Sequence, residues 1–384
     1  MGKPLNVGII GCGAIVAQYL ASFRRLEDVR LVAVADLDAA RAQAVAAEYG
    51  QHVRAVPVDE LLGAPDVDLV LNLTIPAAHA EIALKAIAAG KHVYGEKPLA
   101  ATAADARKVL DAAAEAGVAV GCAPDTVLGT GIQTARKAID DGAIGVPVAA
   151  TATMVTPGHE RWHPNPDFYY VPGGGPLLDM GPYYVTALVT LLGPVVSVIG
   201  AASHTRSERV IGSGPRAGER IPVTTDTHVT GVLVHESGAL STLVMSFDAV
   251  ATHSENIEVH GSLGTLAVPD PNHFDGEVQL VPLGSREWEA LPVSAGYVDS
   301  GRGYGIADIA RALAEEAVAE ASGGAAGRSA GEARANGELA YHVLDVMESL
   351  LDSAHAGKAV EVRSRAARPS PVPLADLARA EVGS

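Results

Sequence analysis

The chain is poor in three things, and each shortage excludes something. It has only 2 cysteines, Cys12 and Cys122, among 384 residues. That number rules out a disulfide framework, and the two are expected as reduced, buried thiols. Positive charge is scarce: 28 Lys and Arg face 45 Asp and Glu, for a formal net charge of −17. An acidic surface repels phosphate backbones, so nucleic acid is excluded as a partner. Long apolar runs are also missing. None reaches the roughly 18 to 20 residues that a bilayer-spanning helix needs, so no membrane partner is expected. Met1-Gly2-Lys3-Pro4-Leu5 enters a strand-like run at once. No signal peptide fits there, and a cytoplasmic protein is expected.

What the chain does have is regular punctuation. Over 1–123, apolar runs alternate with amphipathic helical patterns: Leu5 to Ile10, Val29 to Ala35, Val67 to Leu73, His92 to Tyr94 and Val118 to Cys122 read as strands. Asp38 and Thr102 stand where helix caps belong, and Gly90 and Gly117 where helices stop. This predicts a doubly wound parallel sheet of the α/β class. Over 124–364 the pattern turns β-rich, with too few helices for parallel crossovers. A second, α+β domain with a large, mostly antiparallel sheet is expected there. Within it a helix is expected near Tyr183 to Leu192, and later ones at Ile306 to Ala319 and Leu339 to Ala354. The stretch 321–336, rich in Gly, Ala and Ser, reads as a mobile insertion. The tail 365–384, with Pro369, Pro371 and Pro373, shows no packing pattern. It is expected to be disordered or to form an arm on a partner subunit.

The first chemical signal is Gly11-Cys12-Gly13-Ala14-Ile15-Val16, which leaves a strand and opens a helix. Gly11 permits the tight turn. Gly13 lets the backbone approach a pyrophosphate, and the helix N-terminus at Ala14 and Ile15 favours its charge. The third fingerprint position, usually Gly or Ala, is Val16. Asp36 ends the second strand, where a carboxylate accepts hydrogen bonds from an adenosine ribose diol. A 2′-phosphate would meet like charge there, which favours NAD over NADP; Arg41, close in sequence, keeps NADP possible. Thr74-Ile75-Pro76 follows the fourth strand at the sheet's carboxyl edge, where ligands bind.

The second signal is Glu96-Lys97-Pro98, joined by Gly173-Gly174-Gly175-Pro176 leading to Asp179 and Tyr183. Lys97 sits at the same carboxyl edge on a corner stiffened by Pro98, which is free to take the cis form. Asp179 and Tyr183 share a face if a helix begins near Asp179. Oxidising a secondary alcohol needs a base for the hydroxyl proton while the hydride leaves. A free phenol, with a pKa of about 10, is a poor base at pH 7. An ammonium about 4 Å away contributes up to about 4 kcal/mol, enough to bring a phenol near 7. Asp179 would orient Lys97. The residues do not choose between Lys97 and Tyr183 as the proton carrier. Tyr184 reads as core.

His159-Glu160-Arg161-Trp162-His163 matches the zinc-protease pattern HExxH. That motif works only on a helix, and prolines bracket this one, so it reads as a loop without metal. Trp162 and His163 are candidates to line a substrate cleft; a packed loop is the alternative.

With these motifs in place, the chain resembles the Gfo/Idh/MocA family of oxidoreductases over nearly its whole length. The likeness runs through the Gly11/Gly13 turn, Thr74 to His79, Glu96-Lys97-Pro98, the triple glycine with Asp179, Arg302-Gly303, and Gly337 to Leu344. It implies a Rossmann domain, an open C-terminal sheet used for homo-oligomer contacts (dimer or tetramer), and redox chemistry on sugars, cyclitols or similar polyols. It adds His79 and Glu96 to the cofactor contacts and matches Lys97 and Asp179 to the family lysine and aspartate. Tyr183 stands where inositol dehydrogenases carry histidine. Asp125 stands where many members touch substrate, which makes it a candidate hydroxyl acceptor. Three readings stay open: an NAD(P)-dependent dehydrogenase of a sugar, glycoside or cyclitol, a redox-neutral NAD-retaining glycoside-processing enzyme, and a non-catalytic dinucleotide or sugar sensor.

Overall fold

The computed structural model describes residues 3–322 and 332–377. Most of the expected mobile insertion, 323–331, lies outside the described residues. The chain forms two compact units. One comprises Met1–Thr130, Ala295–Tyr341 and Pro369–Ser384, the other Gly131–Ser294 and His342–Arg368.

The first unit is built on six parallel strands: β1 (Leu5–Ile10), β2 (Val29–Ala35), β3 (Arg54–Ala55), β4 (Leu69–Asn72), β5 (His92–Gly95) and β6 (Val120–Cys122). Their order is β3-β2-β1-β4-β5-β6, so the topology reverses between β1 and β4. The helices of the crossovers are α1 (Val16–Phe23), α2 (Ala39–Tyr49), α3 (Val58–Gly63), α4 (His79–Ala88) and α5 (Ala103–Ala116). Helices cover both faces of such a sheet, which is why the central strands are continuous apolar runs. The expected caps form. The Asp38 carboxylate accepts from Ala40 N at 3.0 Å, and Thr102 Oγ1 accepts from Asp105 N at 3.1 Å. Gly117 closes α5 at φ +65°, a left-handed conformation that favours glycine. Strand β3 and helix α3 escape the sequence pattern, each being too short to show a period.

The second unit begins with α6 (Thr130–Asp140), β7 (Pro147–Val155) and α7 (Pro176–Leu192). There follow β8 (Val195–Ser203), β9 (Glu208–Val210), β10 (Arg220–Pro222), β11 (His228–His235), β12 (Leu240–Ser246), β13 (Ile257–Gly261), β14 (Gly264–Val268), β15 (Gln279–Pro282) and β16 (Glu289–Ala290). Helix α7 starts earlier than expected. Pro176 suits the first helical turn, and Pro182 sits inside the helix. A proline there costs about 3 kcal/mol. Residues 183–192 are all buried, and each large apolar side chain buried contributes about 1.5 to 3 kcal/mol, so burial wins.

The chain then continues through β17 (Tyr297–Val298), α8 (Tyr304–Ser322), α9 (Gly337–Ala356), β18 (Val360–Glu361) and β19 (Ala375–Asp376). The large sheet runs β16-β15-β14-β13-β7-β12-β11-β8-β18, and within it only β7 and β12 pair in parallel. Burial alternates along β7, with Ala150, Ala152 and Met154 inward, the period of a sheet covered on one face.

Two boundaries differ from the sequence reading. Residues 295–341 do not belong with 124–364 as one domain; they pack on the parallel sheet. Cys122 N donates to Ala335 O at 3.0 Å, and a β-carbon on Gly121 would lie 2.6 Å from Ile309 Cδ1. The tail is also packed as far as Leu377. Val372 is fully buried, Gly296 N donates to its carbonyl at 3.0 Å, and β19 pairs with β17. Prolines remove donors but leave carbonyls. Arg334 uses those carbonyls, donating to Ser370 O at 3.2 Å and Pro371 O at 2.9 Å. The same guanidinium pairs with the fully buried Asp308, whose carboxylate also accepts from Tyr297 Oη at 2.9 Å.

Arg334→Met is therefore expected to strand a buried carboxylate, at a cost of about 3 to 5 kcal/mol, and to free the tail. Thermal unfolding should shift down, and limited proteolysis should remove the residues beyond Arg368 first. An unchanged melting temperature and an intact tail would reject this assignment.

Candidate active site

In the first unit, Gly11 holds φ +103° and a β-carbon on it would lie 2.6 Å from the Leu73 carbonyl carbon and oxygen. The turn after β1 is thus pressed against the end of β4. Gly13 is the opposite case: a β-carbon there would meet nothing within 4 Å. Backbone beside an open space, next to a helix start, is what a pyrophosphate needs. Ile15 at the start of α1 supplies no side-chain cap. Asp36 is half-buried at the end of β2, where its Oδ2 accepts from Cys12 N at 2.7 Å and its Oδ1 from Asp38 N at 2.8 Å. Each carboxylate oxygen has a second lone pair, so this fastening leaves acceptor capacity for ribose hydroxyls. Burial, with Asp36 adding to it, pushes the Cys12 thiol up to about 11, so Cys12 is an inert spacer in the loop.

At the exits of β4 and β5 the side chains form a brace. Thr74 donates from N and Oγ1 to Asn72 Oδ1, at 3.2 and 2.6 Å. His79 is buried, with Nδ1 2.6 Å from Pro98 O and Nε2 3.0 Å from Thr74 O. Both neighbours are carbonyl oxygens, so a neutral ring donates to one of them, and the side chain links the Thr74 turn to Pro98. Glu96 accepts from Tyr19 Oη at 2.8 Å and from Lys97 N at 3.1 Å. Burial, reinforced by Glu96, holds the Tyr19 phenol well above its usual value, so Tyr19 stays the donor. Lys97 is half-buried at a cis Lys97–Pro98 bond, and Pro76 is exposed beside the Thr74 turn.

The expectation for Asp125 is corrected. It is fully buried, and its Oδ2 accepts from Gly303 N at 2.8 Å and Gly305 N at 3.0 Å. Burial raises its carboxyl above the ordinary range, against the pull of those donors and of Arg302. It binds backbone, not a substrate hydroxyl. No local pattern could show this, because both donors lie far along the chain.

In the second unit, Gly175 precedes α7 and Asp179 N donates to Gly175 O at 3.1 Å. Asp179 and Tyr183 fall one turn apart on α7. Tyr184 is core, as expected, and its Oη accepts from Asn256 Nδ2 at 2.8 Å. The HExxH segment is a single 3₁₀ turn, His159–Arg161. Its glutamate, Glu160, is buried against Arg209 Nη1 at 3.1 Å and takes the Tyr170 phenol hydrogen bond. Its first histidine, His159, places Nε2 3.1 Å from Asp179 Oδ2. The sequence reading set His159 aside with the zinc motif, although the same residues carried the signal. Trp162 is 59% exposed and His163 half-buried, their ring centroids 5.4 Å apart.

Two family models match the chain: an oxidoreductase family with an NAD-binding Rossmann fold over residues 5–123, and the GFO/IDH/MocA C-terminal domain over 132–267. A 1,5-anhydro-D-fructose reductase of Ensifer adhaerens is 32% identical over 263 residues, 67% of this chain and 74% of that protein. An inositol 2-dehydrogenase of Rhizobium meliloti is 30% identical over 274 residues, 71% and 78% of the two chains. Among solved structures, an NAD-binding oxidoreductase from Klebsiella pneumoniae superposes with a TM-score of 0.78 at 26% identity, covering 94% of this chain and 99% of that one. With its Gly11–Gly13 turn fastened to Asp36 and both halves matched, the chain belongs to the Gfo/Idh/MocA family of NAD-dependent oxidoreductases.

Proposed function

We propose that this protein transfers a hydride between NAD and a carbinol or carbonyl carbon of a sugar, glycoside or cyclitol. The observation that carries the reading is the pairing of an open backbone at Gly13 with the Asp36 carboxylate fixed at the end of β2. The names of the relatives, a reductase of anhydrofructose and a dehydrogenase of inositol, support the substrate class.

Gly11, Gly13, Ala14 and Ile15 would hold the pyrophosphate, Asp36 the adenosine ribose, and Thr74, Pro76, Glu96 and Lys97 the nicotinamide end. When bound, NAD accepts or returns the hydride of the carbinol carbon. The chain's own residues handle the proton. In the oxidation direction the hydroxyl proton would pass to Lys97 or Tyr183, and Asp179 would orient Lys97. Trp162 and His163 offer an aromatic face and a polar edge to a sugar ring. Asp36 disfavours a 2′-phosphate, and Arg41, whose exposed guanidinium lies 3.4 Å from Asp38, is the cation that keeps NADP possible. The face of the large sheet that carries Ile199 (52% exposed) and Leu240 (48% exposed) supports a homo-oligomer formed through that sheet.

Lys97→Ala is expected to lower turnover at least 100-fold with NAD affinity within a few-fold of wild type, read by steady-state NADH absorbance and by calorimetry. Retained turnover would reject the lysine's role. Tyr183→Phe locates the proton: a loss as large as that of Lys97→Ala assigns it to the phenol, and a small loss assigns it to the amine. Asp36→Ala is expected to weaken NAD at least 10-fold and to narrow the NAD over NADP preference. A ratio that stays unchanged would mean that Asp36 does not read the ribose.

A further inference from the structure

We infer that His159 is a positioning residue for Asp179, and so belongs to the machinery of the reaction without touching its reacting atoms. The inference rests on the hydride-transfer reading above for its kinetic consequence, but its geometry stands apart from it. The Asp179 carboxylate can only accept. The contact of 3.1 Å from His159 Nε2 to Asp179 Oδ2 therefore requires a proton on Nε2, which excludes the neutral Nδ1–H tautomer. Both side chains are shielded, with 12% of the histidine and 17% of the aspartate exposed. A hydrogen bond to a charged acceptor in such a place is stronger than one in water.

The imidazole has little freedom to leave. Its ring is walled by Phe247, Tyr169 and Trp162, with centroids 4.4, 4.7 and 5.1 Å away. Its backbone is fixed too. His159 N donates to Tyr170 Oη at 3.0 Å, and that phenol donates to Glu160. Glu160 is paired with Arg209, which is itself buried, pairs with Asp248, and donates to Phe247 O at 3.2 Å and Pro157 O at 3.3 Å. The buried guanidinium thus holds both the loop that carries His159 and the Phe247 backbone, whose ring packs on the imidazole. A carboxylate oriented by an immobilised donor keeps its geometry from one turnover to the next, and small misplacements of such groups cost large factors in rate.

The test uses the full-length protein with NAD and a polyol that the wild type turns over. His159→Leu keeps bulk without a donor, and His159→Phe keeps a ring against Phe247 and Tyr169. Either should lower kcat about 10- to 100-fold with KM within about twofold. His159→Gln, which restores an N–H near Nε2, should recover most of that loss. In an Asp179→Asn background, His159→Leu should add little, because the interaction it removes is already altered. Equal impairment of the Gln and Leu variants would reduce His159 to a packing residue, and unimpaired kcat in the Leu and Phe variants would overturn the inference. A second readout needs no turnover. Nitrogen-15 imidazole spectra should show His159 protonated at Nε2, with that signal perturbed by Asp179→Asn. Absence of that signature would overturn the inference even if the wild type proved inactive, whereas an inactive wild type with the signature present would count against the hydride-transfer reading alone.

Discussion

The close approach of Gly11 to the Leu73 peptide is the constraint on which the cofactor half depends. Strands β1 and β4 are neighbours at the point where the sheet changes direction, and their connections leave toward opposite faces. The two exits make a crevice only if the turn after β1 folds tightly over the end of β4. Any side chain at position 11 would collide with backbone, which cannot swing away as a flexible side chain can. Once the turn is set, Cys12 N points at Asp36 and the loop is fastened to the neighbouring strand β2. Fixing the loop before a ligand arrives reduces the ordering cost of binding.

Buried charge performs the equivalent task elsewhere. Asp308 with Arg334, and Glu160 and Asp248 with Arg209, are costly to desolvate, and such groups often add no net stability over an apolar core. Their effect is directional. Each guanidinium reaches several carbonyls or carboxylates from separate loops, and only one arrangement satisfies all of them. Arg334 pins a proline-rich tail through the carbonyls of Ser370 and Pro371. Arg209 pins the loop that presents His159. Removing one partner leaves the other uncompensated, so these loops are held by the penalty for moving as much as by attraction.

What was legible in the sequence was local. The caps at Asp38 and Thr102 and the stop at Gly117 act through neighbours a few residues away, and their types disclose their geometry; Gly11 and Asp36 were legible from their place in a strand–turn–helix pattern, although their partners Leu73 and Cys12 are distant in sequence. Period-2 alternation in β13 and apolar runs in β4 disclose the two kinds of sheet for the same reason. The misread residues have distant partners. Asp125 looked like a cleft residue because it stands where family members touch substrate, while its donors, Gly303 and Gly305, lie 178 and 180 residues away and leave no local trace. His79 was assigned through the family resemblance, and the residues around it could not show that its ring lies between the Thr74 and Pro98 carbonyls. The tail looked unpacked because its order comes from Arg334 and β17 rather than from its own periodicity. His159 was visible but credited to the wrong chemistry: the HExxH spacing has meaning on a helix, and the prolines denied it one.

Electrostatics sets a further requirement on the cofactor site. A net charge of −17 repels an anionic dinucleotide at long range. At physiological ionic strength the Debye length is about 8 Å, so that repulsion fades quickly across water, while contacts inside the crevice are screened much less. Attraction to the cofactor must then be local and fixed, as that of backbone N–H groups at a helix start is. Such groups are short-range and directional, so they favour an anion seated against them and do little for anions in general. An acidic chain with a few oriented donors can thereby discriminate among anions by shape, and in the proposed role Asp36 would sharpen the choice by admitting a ribose diol where a further phosphate would meet like charge.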